Sequence, residues 1–270
     1  MPELPEVEYV VRTVRDGQPS LIGRRIEQAR VLSENVVSGP VGEFAARVQG
    51  CTFKSVRRYG KYIICGLDTM DNSSELWFVI HLRMTGRLHM IAASETVGRH
   101  TRLILSLDQG LVLHFDDPRK FGRVVLTGNL AVITGKLGPD ALHMTEAEFC
   151  RRLQNIRRTL KPLLLDQSFV CGIGNIYTDE ILFRAGVHPL TSSSSLDASG
   201  IKTLYSAVTS VLVEAVSAGG ANIDGVFKAG NFVTNVYGRE NKPCRKCGTS
   251  IVKIKVSQRG THLCPQCQIL

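Results

Sequence analysis

The strongest constraint on this chain lies near its end, where Cys244-x-x-Cys247 and Cys264-x-x-Cys267 are separated by 16 residues. Two residues between cysteines let one tight turn aim two thiolates at a common point, and two such turns complete a tetrahedron. Residues 250–256 between the pairs are strand-like, so the segment is expected to form a two-stranded ribbon on one structural Zn2+. Four thiolates leave no open coordination position, which assigns the ion to structure and not to catalysis. Cys51, Cys65, Cys150 and Cys171 lie scattered among apolar residues and read as buried thiols. The chain opens on acidic residues without a basic, then apolar, leader, so metal is preferred over disulfides.

Charge points to a polyanionic partner. The 270 residues carry 33 Lys+Arg against 24 Asp+Glu, a net charge of +9. Residues 239–270 hold Arg239, Lys242, Arg245, Lys246, Lys253, Lys255 and Arg259 against a single acid, Glu240. Lys54, Arg57, Arg58 and Lys61 form a second basic cluster, and Arg151, Arg152, Arg157, Arg158 and Lys161 a third. One charge run is usually a solvated face; two runs beside a basic ribbon suit phosphate contact. Apolar residues make up 43% of the chain, an ordinary share for a globular protein, and runs such as residues 76–80 fall far short of a membrane span. The expected product is a cytoplasmic, monomeric, nucleic-acid-binding protein, with no membrane partner.

The pattern along the chain predicts an α+β fold. Val7, Val10, Val11 and Val14 fall on one helical face, with Pro5 suited to the first turn and Glu3, Glu6 and Glu8 complementing the helix dipole. A terminus held by a packed helix can do chemistry. Residues 25–127 read mostly as short strands separated by polar turns. Residues 103–107 and 111–115 flank Asp108-Gln-Gly110 as a hairpin, and residues 54–67 and 75–90 are further strand candidates. An antiparallel β-sandwich or barrel follows. From residue 137 the pattern turns helical: Thr145-Glu-Ala-Glu is a capping box, and residues 200–218 form a helix ended by Gly219-Gly220. This gives an N-terminal helix-plus-sandwich domain over 1–134, a helical domain over 135–230 and the ribbon over 231–270.

One segment of the helical region is more specific. An apolar stretch after Lys161 ends at Asp166-Gln167, Gly172-Ile-Gly174 makes a turn, and a helix starts near Asn175. Glycines let a backbone approach phosphate, and a helix N-terminus offers it N–H groups. Asn175 is then either a plain N-cap or a cap that also donates to phosphate.

These features resemble the formamidopyrimidine-DNA glycosylase family, which includes endonuclease VIII relatives. The resemblance runs the whole length. It rests on MPELPEVE, His81-Leu-Arg-Met84-Thr-Gly86, Asp117-Pro-Arg119-Lys-Phe121-Gly122, the helix-two-turn-helix segment 166–179 and the four-cysteine ribbon. It implies excision of an oxidised base from damaged duplex DNA, followed by strand cleavage. Once Met1 is removed, Pro2 would supply a secondary amine that attacks C1′ and forms a Schiff base. Glu3 would act as general acid/base, and Glu6 would orient the site. Lys61 would contact phosphate and assist β-elimination, and Arg259 would bind the phosphates flanking the lesion and assist δ-elimination. Met84, Arg119 and Phe121 would fill the gap left by the extruded base. Lys161, Asn175 and His100 would contact phosphate. A histidine held for purely structural reasons is the equal alternative for His100. The triad favours the formamidopyrimidine branch.

Three departures from the family pattern bear on base choice. The stretch between Gly220 and Tyr237 is shorter than the glycine-rich loop that closes over 8-oxoguanine in family members. The histidine-rich stretch is reduced to Gly98-Arg99-His100, and Arg83 stands where a glycine is common. The competing readings are a catalytically inactive zinc-ribbon DNA-binding protein of the same fold and a zinc-ribbon RNA or transcription factor.

Overall fold

The computed structural model describes residues 2–69, 75–154, 156–223 and 230–270, and its chain divides into two compact units. The first comprises Pro2 and residues 7–135; the second comprises residues 3–6 and 136–270. The first helix, α1 (Leu4–Asp16), therefore begins in one unit and continues in the other.

In the first unit, α1 buries Val7, Val10, Val11 and Val14, the stripe that its sequence spacing sets on one face. The strands are β1 (Ile26–Val31), β2 (Thr52–Tyr59), β3 (Tyr62–Asp68), β4 (Leu76–His81), β5 (Arg87–Ala92), β6 (Thr101–Leu107), β7 (Leu111–Asp116) and β8 (Arg123–Thr127). A short helix, α2 (Val41–Val48), stands between β1 and β2, and α3 (Ala131–Thr134) follows β8. The strands form two four-stranded antiparallel sheets, in the orders β1-β6-β7-β5 and β2-β3-β4-β8. The hairpin at 108–110 is present, with Gln109 and Gly110 both at positive φ. The strand candidates 54–67 and 75–90 each resolve into two strands. Gly60 at φ 55° and Lys61 turn β2 into β3, and residues 82–86 interrupt β4 and β5. Both breaks carry residues of the expected site.

The second unit contains α4 (Glu146–Gln154), α5 (Leu160–Leu165), α6 (Asn175–Ala185), α7 (Ala198–Ser217) and the ribbon strands β9 (Val252–Val256) and β10 (Arg259–Leu263). Thr145 caps α4 as expected, its Oγ1 accepting from the Glu148 N–H at 3.2 Å. Asp197, three residues before the predicted start, caps α7 through the Gly200 N–H at 2.7 Å. Leu4 joins the core of this unit with Phe149, Leu163, Leu164, Tyr177, Ile181 and Leu212. The reason is local: Leu4 N–H donates to the Gly172 carbonyl at 3.0 Å. Gly172 sits at φ 108°, and a Cβ there would strike the Leu4 side chain. No helix among the described residues is long and apolar enough to cross a membrane.

Candidate active site and nucleic-acid interface

The glycine turn before α6 does not leave the helix N-terminus open to phosphate, as the sequence suggested. The Glu3 carboxylate fills it. Oε2 accepts from the Gly174 N–H at 2.9 Å and the Tyr177 N–H at 3.3 Å, and Oε1 accepts from the Ile176 N–H at 3.0 Å. A carboxylate at a helix start satisfies orphan donors and meets the positive end of the dipole. Gly174 is required because a Cβ there would collide with that carboxylate. The turn is therefore a socket for a protein side chain. Asn175 is the first helical residue; the N-cap position belongs to Gly174.

Glu6 does not serve its own helix dipole alone. Its Oε2 accepts from the Glu3 N–H at 2.7 Å, and its Oε1 accepts from the Tyr177 hydroxyl at 2.5 Å and the Ala221 N–H at 2.8 Å. Burial, reinforced by the neighbouring Glu3 charge, pushes its carboxyl up to about 7. Glu6 thus fixes the peptide that follows Pro2 and one flank of the stretch 220–237. Glu180 fixes the other flank. Its buried carboxylate accepts from the N–H groups of Asn235, Val236 and Tyr237 at 2.8, 2.9 and 2.9 Å. Residues 224–229 of that stretch, and Met1, lie outside the described residues.

Lys161 is wholly buried, its Nζ paired with Asp179 Oδ1 at 2.5 Å and donating to the Gly260 carbonyl at 3.3 Å. Burial holds this ammonium below the usual lysine range, with Asp179 pulling the other way. The structure therefore gives Lys161 an internal partner in place of the open phosphate contact expected of it. Asn175 Nδ2 donates to the same Gly260 carbonyl at 3.0 Å, and its buried Oδ1 has no partner among the described residues. Asp179 Oδ2 accepts from the His262 N–H at 2.8 Å. These contacts seat β10 on α6 and leave Arg259, one residue before Gly260, exposed.

The ribbon itself matches expectation. β9 and β10 pair antiparallel from Arg259 opposite Val256 to Leu263 opposite Val252, through a turn in which Ser257 and Gln258 both take positive φ. The Sγ atoms of Cys244, Cys247, Cys264 and Cys267 all lie within 4.8 Å of one another.

In the first unit, Pro2 is buried two residues before α1 begins. Lys61 occupies the two-residue turn between β2 and β3 and is 8% exposed. Arg58 holds that turn: its guanidinium donates to the Gly60 carbonyl at 3.0 Å and to Glu8 Oε2 of α1 at 2.9 Å. Met84 and Phe121 are exposed apolar residues, at 36% and 47%, and the Arg119 guanidinium lies 4.8 Å from the Phe121 ring centroid. Their two loops are stitched by one buried carboxylate. Asp117 Oδ1 accepts from the Thr85 hydroxyl and from the Arg119 N–H, and Oδ2 accepts from the Gly122 N–H at 2.7 Å. Asp117 N–H in turn donates to the His100 carbonyl at 2.9 Å, and the His100 ring accepts from Arg99. His81 Nδ1 accepts from the Arg83 N–H at 3.0 Å, and its ring packs edge-on against Tyr62. Burial, then the charges of Arg83 and Lys61, lower its pKa to about 3, so the ring is neutral.

Sequence reasoning named the candidate reactive and wedge residues but not the side chains that hold their loops and helices in place: Asp117, Arg58, Asp179 and Glu180. Asp117 carried a signal, since an aspartate before Pro-Arg-Lys-Phe-Gly is a turn former able to accept N–H bonds within its own loop. Asp179 and Glu180 carried none beyond being adjacent acids inside a helix.

A sandwich of two antiparallel sheets, a helix-two-turn-helix and a four-cysteine ribbon define a zinc-finger class of helix-two-turn-helix protein. Models of the formamidopyrimidine-DNA glycosylase N-terminal domain, of its H2TH domain and of the zinc finger found in FPG and IleRS match residues 1–124, 137–225 and 241–269. Formamidopyrimidine-DNA glycosylase of Herpetosiphon aurantiacus is 39% identical, covering 99% of this chain and 100% of its own. The enzyme of that name from Bacillus subtilis is 38% identical, covering 99% of each. The chain superimposes with a TM-score of 0.89, at 31% identity and full coverage of both, on Lactococcus lactis Fpg bound to DNA containing N7-benzyl-Fapy-dG. It superimposes equally, at 30% identity, on the same Lactococcus protein bound to abasic-site DNA. The chain belongs to the formamidopyrimidine-DNA glycosylase family.

Proposed function

We propose that this chain is a base-excision DNA glycosylase with AP lyase activity, acting as a monomer on duplex DNA that carries an oxidised base. The observation that carries the reading is the Glu3 carboxylate, locked by three N–H donors from the N-cap and first turn of α6 and directly following Pro2 in the chain. With Met1 removed, the Pro2 nitrogen is a secondary amine, and α-amino groups titrate near 8, so a neutral fraction exists at cellular pH. That nitrogen attacks C1′ and the bond from C1′ to the base breaks, the base leaving with the electron pair and a proton. Glu3 protonates O4′ as the sugar opens, giving an iminium. Loss of a C2′ proton expels the 3′-phosphate, and loss of the C4′ proton then expels the 5′-phosphate. Lys61 assists the first elimination and Arg259 the second, each by offsetting phosphate charge. Water finally hydrolyses the iminium and returns the amine.

Met84, Arg119 and Phe121 fill the vacated stack, and Asn175 and His100 contact the backbone around it. The exposure of Met84 and Phe121 supports this role, since a solvent-facing wedge costs nothing in core packing. The same triad favours oxidised purines of the formamidopyrimidine or 8-oxoguanine type. The short stretch 220–237, clamped by Glu6 and Glu180, would alter base choice without touching sugar chemistry. Labour divides along segments 1–134, 135–230 and 231–270: sandwich chemistry, helix-two-turn-helix binding, and the ribbon. The four cysteines hold one structural Zn2+. Tetrahedral thiolates about 2.3 Å from zinc stand roughly 3.8 Å apart, and the present sulfur pairs at 3.4 and 4.0 Å fit that span.

The test is borohydride trapping on duplexes carrying 8-oxoguanine, formamidopyrimidine, an oxidised pyrimidine or an abasic site. A covalent adduct is expected on the oxidised-purine and abasic duplexes, with Pro2→Gly losing most base removal and Glu3→Gln nearly all. Absence of any adduct would return the chain to the inactive DNA-binding reading, and unchanged turnover in either variant would overturn the role given to that residue.

A further inference from the structure

The contacts between α6 and β10 have a direction that the reaction itself does not explain. Asp179 is 0% exposed and divides its carboxylate, Oδ1 to Lys161 Nζ and Oδ2 to the His262 N–H. Lys161, wholly buried, carries the same network to the Gly260 carbonyl, where Asn175 Nδ2 also arrives. Two donors on one carbonyl and one acceptor on the amide two residues later pin residues 260–262 at both polar faces of the strand. Arg259 is the next residue out; the two left-handed turn residues before it set its pairing with Val256 but not how the hairpin lies on α6. A buried ion pair is weak evidence for added stability, because hydrophobic replacement often does as well. Its better-attested use is to fix register.

We infer that Asp179 is the positioning residue for Arg259: with Lys161 it sets the register of β10 on α6, and so determines whether the Arg259 guanidinium meets the 5′-phosphate that leaves in the second elimination. This deepens the proposed lyase reading and rests on it. The step concerned is loss of the C4′ proton with cleavage of the C5′–O bond, the phosphate leaving with the electron pair. Base removal and the first elimination use Pro2, Glu3 and Lys61, whereas the Asp179 carboxylate bonds to Lys161 and His262.

The experiment follows the products of abasic-site duplex and of oxidised-purine duplex with zinc-loaded wild type, Asp179→Asn and the double variant Lys161→Met/Asp179→Asn. Asparagine keeps an acceptor for His262 but removes the charge facing Lys161; the double variant removes both charges, which guards against a fold lost to one unpaired ammonium. In either variant that remains folded, the ratio of second- to first-elimination product falls roughly tenfold or more, the scale of a small misplacement. Base release falls much less, and amide exchange in β10 quickens. An unchanged product ratio, or a parallel fall in base release and both eliminations in the double variant, overturns the inference. If wild type itself forms no trapped adduct, the lyase reading fails instead.

Discussion

At the scale of single residues, two groups pull stability in opposite directions with pH. Glu6 is held near 7 in the folded chain against 4.5 as a free side chain, so between those values the folded state keeps a proton that the unfolded state releases. Stability from this group therefore falls as pH rises through that window. His81 is lowered to about 3 from 6.5, so the unfolded chain takes up a proton first and stability rises with pH between 3 and 6.5. Glu6→Gln should remove the falling component alone. Urea midpoints from pH 4.5 to 8 would show it as a steeper rise with pH than wild type below 7, and an unchanged profile would remove Glu6 as the source. Gly174→Ala belongs to the same scale. A Cβ there meets the Glu3 carboxylate, so base removal is expected to drop about a hundredfold while the unfolding transition stays cooperative. Single-turnover base release beside thermal unfolding checks both halves.

Among elements, the loops count for more than the strands they join. Met84 follows β4, and Arg119 and Phe121 follow β7, yet one carboxylate, Asp117, holds both loops. Removing it leaves buried N–H and hydroxyl donors without an acceptor, which costs about 1–3 kcal/mol per group. Asp117→Ala should lower stability on that scale and weaken binding to lesion-containing duplex more than to undamaged duplex, because the wedge loses its support. Equal loss on both duplexes would mean that Asp117 matters only for folding. The turn holding Lys61 is built on the same plan, with Arg58 reaching from β2 to Glu8 on α1.

Across the whole molecule, the excess of positive charge makes DNA affinity salt-dependent, with a slope that counts the phosphates neutralised. Cys244→Ser, or zinc removal by a chelator, should unseat the ribbon with its seven basic residues. The expected outcome is weaker binding and a shallower slope of log affinity against log salt. Intact affinity after metal loss would separate the ribbon from DNA contact.

The helix stripe at Val7 to Val14, the hairpin at 108–110, the Thr145 cap and the two cysteine pairs were all legible in the chain, because each depends on neighbours within a turn or two or on fixed ligand spacing. The motifs also supplied the residues to which the proposed reaction assigns its reactive and wedge roles. The glycine turn at 172–174 was not legible: its spacing fits a phosphate cradle, and the backbone cannot say whether the anion it receives is DNA or Glu3 from the other end of the chain. Lys161 likewise read as part of a basic cluster and a phosphate contact, with nothing in the spacing to show that α6 brings Asp179 to it. Local pattern and metal chemistry set the elements, but only tertiary structure chose the partners of buried charges. The energy of an ionised group depends on which distant dipoles and counter-charges replace its water, and no spacing along the sequence encodes that.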